Sequence, residues 1–155
     1  MAKIKFLNLQ VTDVKLKVDT FDQYSTDEIE SGPFNIDCQF SETESKLFGI
    51  SFEINLKNKN QDFELRVKAI AHFECDENIN QEFMQSDFVF INAPAIAFPY
   101  LRAFISNITL NSGYNPVILP AFNFVAMANA IKDRSKSSST NEPVTDKKLE
   151  SRQNS

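Results

Sequence analysis

Residues 88–131, FVFINAPAIAFPYLRAFISNITLNSGYNPVILPAFNFVAMANAI, carry one charged side chain, Arg102, in 44 positions. A chain surrounded by water cannot leave that much apolar surface wet. Pro94, Pro99, Pro116 and Pro120, with Gly113 and several Asn, break the stretch too often for an uninterrupted apolar run of membrane-spanning length. It is therefore expected to be buried against protein, as a core, a subunit interface or a groove for other apolar chains, with no membrane insertion.

The residues before it supply something to cover. Residues 4–18 read as one long strand whose apolar parity switches twice, predicting irregularities near Phe6–Leu7 and Thr12–Asp13. Residues 22–33 read as a polar loop ending in Ser31-Gly32-Pro33. Three alternating strands follow. The first sets Phe34, Ile36, Cys38 and Phe40 on one face. The second aligns Phe48, Ile50, Phe52, Ile54 and Leu56. The third aligns Phe63, Leu65, Val67, Ala69, Ala71 and Phe73, with Ile70 the exception on its polar side. Connections at 42–45 and 58–61 are short enough for hairpins, so the sheet is antiparallel with one apolar and one wet face.

A short helix is expected at 79–85, just before the apolar stretch, and a long one within it from Asn92–Pro94 to about residue 111, with Pro94 in its first turn and Pro99 bending it. Phe98, Leu101, Ile105 and Ile108 share one helical stripe, while Ala97, Tyr100 and Phe104 make the other side apolar too. A helix apolar on both sides is buried on both sides, and one sheet covers one side. The other implies a second subunit, with Phe98, Leu101, Phe104, Ile105 and Ile108 as the oligomer-interface set. Asn111–Pro120 must be extended. A second helix begins near Asn123 with Phe124, Ala128 and Ile131 on one side. The fold class is α+β, with a domain over 1–134 and a Ser/Lys-rich tail over 135–155 too poor in apolar residues to order itself.

Charge and chemistry exclude several classes. Residues 1–131 hold 10 Lys/Arg against 17 Asp/Glu, and 132–155 hold 6 against 4. An acidic body is the wrong electrostatic footprint for nucleic acid. Cys38 and Cys75 form no CxxC or disulfide framework, and with a single histidine, His72, there is no zinc-ligand set or nucleophile–base pair. Three isolated glycines make no phosphate-cradling loop. Neither enzyme activity, nor a metal, nor a cofactor is indicated. Met1-Ala2-Lys3-Ile4-Lys5 leads into alternation instead of an apolar leader, so cytoplasmic residence is expected.

The order Asn92-Ala93-Pro94, Phe98-Pro99-Tyr100 with Arg102, Ile105-Ser106, Pro120 and Asn123-Phe124 resembles the signature half of the SecB family, bacterial protein-export chaperones. The resemblance implies a four-stranded antiparallel sheet, a long helix, an extended crossover and a second helix, assembled as a homotetramer, a dimer of dimers. It implies a chaperone that holds unfolded polypeptide clients in apolar grooves without ATP and passes them to the SecA motor. Carried onto this chain, the peptide-binding positions are Phe63, Leu65, Phe73, Tyr114, Val117, Leu119, Phe122 and Phe124; the strand positions would serve equally as packed core, whereas the crossover residues are favoured for binding because an extended segment tends to lie at the surface. The SecA-facing acids are Asp13 and Glu64. The sequence departs from the family in three places: Val125 stands where an acid usually follows Asn-Phe, Ala69-Ile70-Ala71-His72 replaces a glycine-rich run, and the tail is not acidic. Lys17 and Arg66 stand where the family tends to carry Glu, with Lys15 and Lys68 nearby, so SecA binding is expected to be weak or absent. Three readings remain open: an export holdase, a chaperone dedicated to one client such as an antitoxin of a toxin–antitoxin system, and a structural oligomer without clients.

Overall fold

A computed structural model describes residues 2–19, 29–58 and 62–138. The four strands are β1 (Ile4–Val18), β2 (Ile29–Phe40), β3 (Leu47–Asn58) and β4 (Phe63–Cys75), in one antiparallel sheet of order β1-β4-β3-β2. Helices α1 (Gln81–Met84), α2 (Ala93–Asn111) and α3 (Phe124–Ser138) follow. The α+β architecture is the one the alternation and the resemblance imply.

Parity sets the register. β1 pairs with β4 with shifts between Phe6 and Asn8 and between Val11 and Asp13, the two places where its apolar alternation changes phase. Each extra residue returns the next apolar side chain to the covered face, so Ile4, Phe6, Leu9, Val11, Val14 and Leu16 all pack on the core. Leu7, extruded by the first bulge, is exposed instead. Asn58 closes the β3–β4 hairpin: its side-chain oxygen accepts from the backbone N–H of Asp62 (3.1 Å) and Phe63 (3.2 Å).

Two expectations are corrected here. Residues 29–33 are not loop: β2 begins at Ile29, because β3 continues to Asn58 and offers backbone partners, Asn58 to Ile29 and Lys57 to Glu30. Gly32 and Pro33 fall in the register shift between Ser31 and Phe34, where an edge strand tolerates them. A Cβ on Gly32 would lie 2.8 Å from the Asn55 carbonyl oxygen, so only glycine fits. The prolines also interrupt less than expected. A π-helical turn, Phe88–Asn92, runs directly into α2, and Asn92 is itself helical with no capping bond. Pro94 occupies the first turn and Pro99 is accommodated inside the helix. Phe88–Asn111 is thus one helical stretch of 24 residues, long and apolar enough by length and composition to cross a membrane. It packs on the sheet, mainly over β1 and β4.

α1, shorter than the expected 79–85, is capped by Asn80, whose Oδ1 accepts from Phe83 N–H at 2.8 Å. α3 is capped by Asn123, which accepts from Ala126 N–H at 3.2 Å, and lies over β2 and the π-helical turn. It runs to Ser138, past the expected boundary at 134, and Lys132 is tied down by Asp87 (3.8 Å) and by the Phe90 ring (5.3 Å). The rest of the tail, 139–155, and the part of the expected loop over 22–28 lie outside the described residues.

Candidate functional site

The crossover between α2 and α3 is held by side chains on one turn of α2. Thr109 Oγ1 accepts from the Val117 N–H (2.9 Å) and lies 2.9 Å from the Ile105 carbonyl, to which it donates. Ser106 Oγ donates to the Val117 carbonyl at 2.7 Å. Both backbone groups of Val117 are therefore satisfied by α2, which an extended segment cannot do for itself. Gly113, at φ +92°, turns the chain out of the helix toward this staple. Thr109 is fully buried. Thr109→Val is expected to leave the Val117 N–H unpaired and to lower unfolding free energy by about 1–3 kcal/mol, measured by urea denaturation.

Extended geometry then alternates the crossover side chains: Val117 and Leu119 point in and are buried, whereas Ile118 is 67% exposed. This divides the residues expected to bind peptide. Phe63, Leu65 and Phe73 lie on the inner face of the sheet and are fully covered, and Val117, Leu119 and Phe124 are buried within the same core. Tyr114 and Phe122 are half-exposed. The structure adds neighbours that alternation did not single out. Phe34, half-buried at the end of the β2 bulge, has its ring 4.6 Å from that of Phe122, and Phe98 touches Phe122 at 5.1 Å and Phe124 at 5.6 Å. Ile118 and Val125 stand exposed on the crossover and the first turn of α3. The result is a seam of aromatic rings between edge strand β2, α2 and α3, open at Phe34 and Phe122. The signal for Phe34 was its place directly after Gly-Pro on what proves to be an edge strand.

α2 divides in the same way. Phe98, Leu101 and Ile105 are buried within one protomer, while Phe104 and Ile108 are half-buried. Its outward stripe is Ile96, Tyr100, Ala103, Asn107 and Leu110, with Ile96 40%, Tyr100 53% and Leu110 55% exposed. Tyr100 is steadied by the Phe6 ring at 4.5 Å.

The wet face of the sheet carries Lys5, Lys15, Lys17, Lys57, Arg66 and Lys68 against Asp13, Glu30, Asp37, Glu53, Glu64 and Glu74, as many acids as bases. Asp13 sits directly opposite Lys68, and Glu64 lies between Lys17 and Lys57. Glu53 pairs with Arg66 (3.2 Å) and reaches Lys68 (3.9 Å). His72 shares a hydrogen bond of 3.2 Å with Gln10. Burial pushes the Cys75 thiol up to about 11, with Asp76 and Glu74 adding to the rise, so it stays protonated and unreactive at neutral pH. Among the described residues no group of His, Cys, Asp and Glu is placed to hold a metal ion.

A four-stranded antiparallel sheet covered on one face by a long helix, a stapled crossover and a second helix is a SecB-like chaperone fold. A structure with this fold is a SecB-like chaperone from Mycobacterium tuberculosis, in complex with a peptide from an antitoxin; it superposes with a TM-score of 0.60 at 13% identity, covering 77% of this chain and 88% of that one. The family model for preprotein translocase subunit SecB matches residues 3–134, and the chain belongs to the SecB family. Relatives include the protein-export protein SecB of Magnetococcus marinus, 30% identical over 105 residues (64% of this chain, 66% of that protein), and that of Anaplasma phagocytophilum, 29% identical over 86 residues (52% and 54%). An uncharacterized protein of Methanocaldococcus jannaschii is 42% identical over 69 residues, 44% of this chain and 43% of that one. The matched stretches thus span less than two thirds of these relatives' lengths.

Proposed function

We propose that this protein is an ATP-independent chaperone of the SecB type that holds unfolded or aggregation-prone polypeptides, serving protein export from the cytoplasm. The observation that carries this reading is the aromatic seam. Phe34 and Phe122 are half-buried with an edge open to solvent, Tyr114 and Ile118 extend the apolar surface along the crossover, and Val125 continues it onto α3. Such a surface gains free energy from buried area and not from a particular client sequence, which suits many clients. Of the buried positions, Phe124 meets the seam through Phe98, and Phe63 meets Tyr114, whereas Phe73 packs against Phe6 and Phe48 toward the other end of the sheet. The assembly proposed is a homo-oligomer, a tetramer built as a dimer of dimers through the outward stripe of α2.

A second reading, a chaperone dedicated to one client such as an antitoxin, is favoured by one observation: the wet face is charge-balanced, with Lys17 beside Glu64 and Lys68 opposite Asp13, and offers a basic SecA segment little net attraction. Capture of a reduced, unfolded insulin B chain, followed by light scattering, tests the common core of both readings. Wild-type oligomer is expected to suppress aggregation, and Phe122→Ala and Ile118→Ser are each expected to weaken capture by about 1 kcal/mol with thermal stability retained. An intact oligomer that gives no protection would reduce the protein to a structural assembly without clients.

A further inference from the structure

The wet face holds two features that the holdase reading leaves unused. At one end lies an apolar notch of about 490 Å³, to which Leu7, Leu47, Gly49, Ile70, His72 and Gln39 contribute. It exists because two rules of alternation are broken together. The first β1 bulge turns Leu7 outward to 43% exposure, and Ile70 is the one apolar side chain on the polar parity of β4. Gly49 makes room for it: a Cβ there would lie 2.9 Å from Ile70 Cδ1. Toward the other end of the same face, Lys15 stands directly opposite Arg66 in the β1–β4 register, whereas the adjacent bases Lys17 and Lys68 each face an acid, Glu64 and Asp13. Like charges directly opposite each other cost stability. Arg66 and Lys68 share one carboxylate, Glu53, and Lys17 is 3.7 Å from Asp19. Among the described residues Lys15 has no ion pair. Arg66 and Ile70 are four residues apart on β4, roughly 13 Å at strand rise.

We propose that this face docks an extended protein segment with a bulky apolar side chain in the Leu7–Ile70 notch and acidic side chains over Lys15 and Arg66. An anion at Lys15 and Arg66 relieves their mutual repulsion, and the notch supplies apolar area that a charged strip lacks. The chain's own tail, with 6 Lys/Arg against 4 Asp/Glu in 132–155, has the wrong sign for the strip. A polyanion such as RNA meets repulsion from a body with 17 acids against 10 bases in residues 1–131, so a peptide with a few acids is the fitting occupant.

The test uses the full chain and a fluorescein-labelled synthetic peptide with Phe-Leu at one end and a Glu-Asp-Glu-Asp run at the other, read by fluorescence anisotropy at low and high salt. A second peptide carries Lys-Arg-Lys-Arg in place of the acids, and a single-stranded poly(U) RNA of similar length is the third probe. Binding of the acidic peptide is expected to weaken with salt and to fall about ten-fold in Lys15→Glu, which breaks no ion pair of the described residues. Ile70→Ser is expected to lower affinity several-fold while leaving the salt dependence unchanged, and circular dichroism confirms that both variants are folded. Lys15→Gln, which keeps the side chain's length, should show an intermediate loss. The proposal is overturned if the basic peptide binds as tightly as the acidic one, if RNA binds more tightly than either peptide, or if folded Lys15→Glu and Ile70→Ser bind like wild type. Insulin-chain capture, read on the same samples, reports the aromatic seam separately.

Discussion

Ile105→Asp is expected to unfold the protomer, not merely to separate subunits. Ile105 is 0% exposed, packed with Leu101 and Phe98 on the side of α2 that meets the sheet. Truncating such a side chain removes its transfer free energy and leaves a cavity, together about 2–5 kcal/mol. The carboxylate adds the cost of a polar group with no partner, and it will titrate upward and bind a proton before it remains charged in that setting. Against a total stability of about 5–15 kcal/mol for a domain of ordinary size, the loss is decisive. Far-ultraviolet circular dichroism and urea titration are expected to show an unfolded chain, or one with a sharply lowered midpoint. A folded monomer with wild-type stability would mean that Ile105 faces a partner subunit, as its position in the sequence-derived interface set has it.

That set also marks what the sequence could and could not disclose. Strand phase was legible down to single residues: the breaks after Phe6 and Val11 are where β1 bulges, because with a period of two every added residue exchanges the faces. The same phase puts Lys15, Lys17, Glu64 and Arg66 on the wet face, and the β1–β4 register then sets Lys15 opposite Arg66 and Lys17 opposite Glu64. The start of β2 was hidden, since Ile29–Pro33 is polar and broken by Gly-Pro, and only the backbone of distant β3 makes it a strand. The rotation of α2 was hidden for a different reason. With Phe98, Leu101 and Ile105 on one side and Ile96, Tyr100 and Leu110 on another, periodicity finds two apolar stripes and cannot say which meets the chain's own sheet. The crossover resisted for a third reason: its inward residues are chosen by Ser106 and Thr109 eleven and eight residues before Val117, a tertiary staple that no local pattern announces. Phe34 joins the seam only once β2 is known to be an edge.

Leu110→Asp is expected to do what Ile105→Asp cannot: dissociate the assembly and leave the protomer folded. Leu110 is 55% exposed near the end of the outward stripe, and its own protomer loses little when it changes. In an interface, an unpaired carboxylate facing apolar surface costs about 3–5 kcal/mol, or more than a hundred-fold in dissociation constant. Size constrains what the stripe alone can hold together. α2 has 19 residues, so its outward face is roughly 28 Å long by 10 Å wide, or about 300 Å² per subunit. Stable interfaces bury about 800 Å² per partner, so neighbouring surface must take part. Phe104 and Ile108 flank the stripe half-buried, and β1, the edge strand beneath α2, has no strand on its outer side among the described residues and offers a row of backbone groups there. Ile96→Asp lies 14 positions before Leu110, nearly four helical turns along the same stripe, and should act like Leu110→Asp if the contact runs the helix's length. Sedimentation velocity at micromolar concentration decides: wild type larger than a monomer, both variants monomeric and folded. A wild-type monomer, or Asp variants that sediment as wild type does, would move the subunit contact off α2.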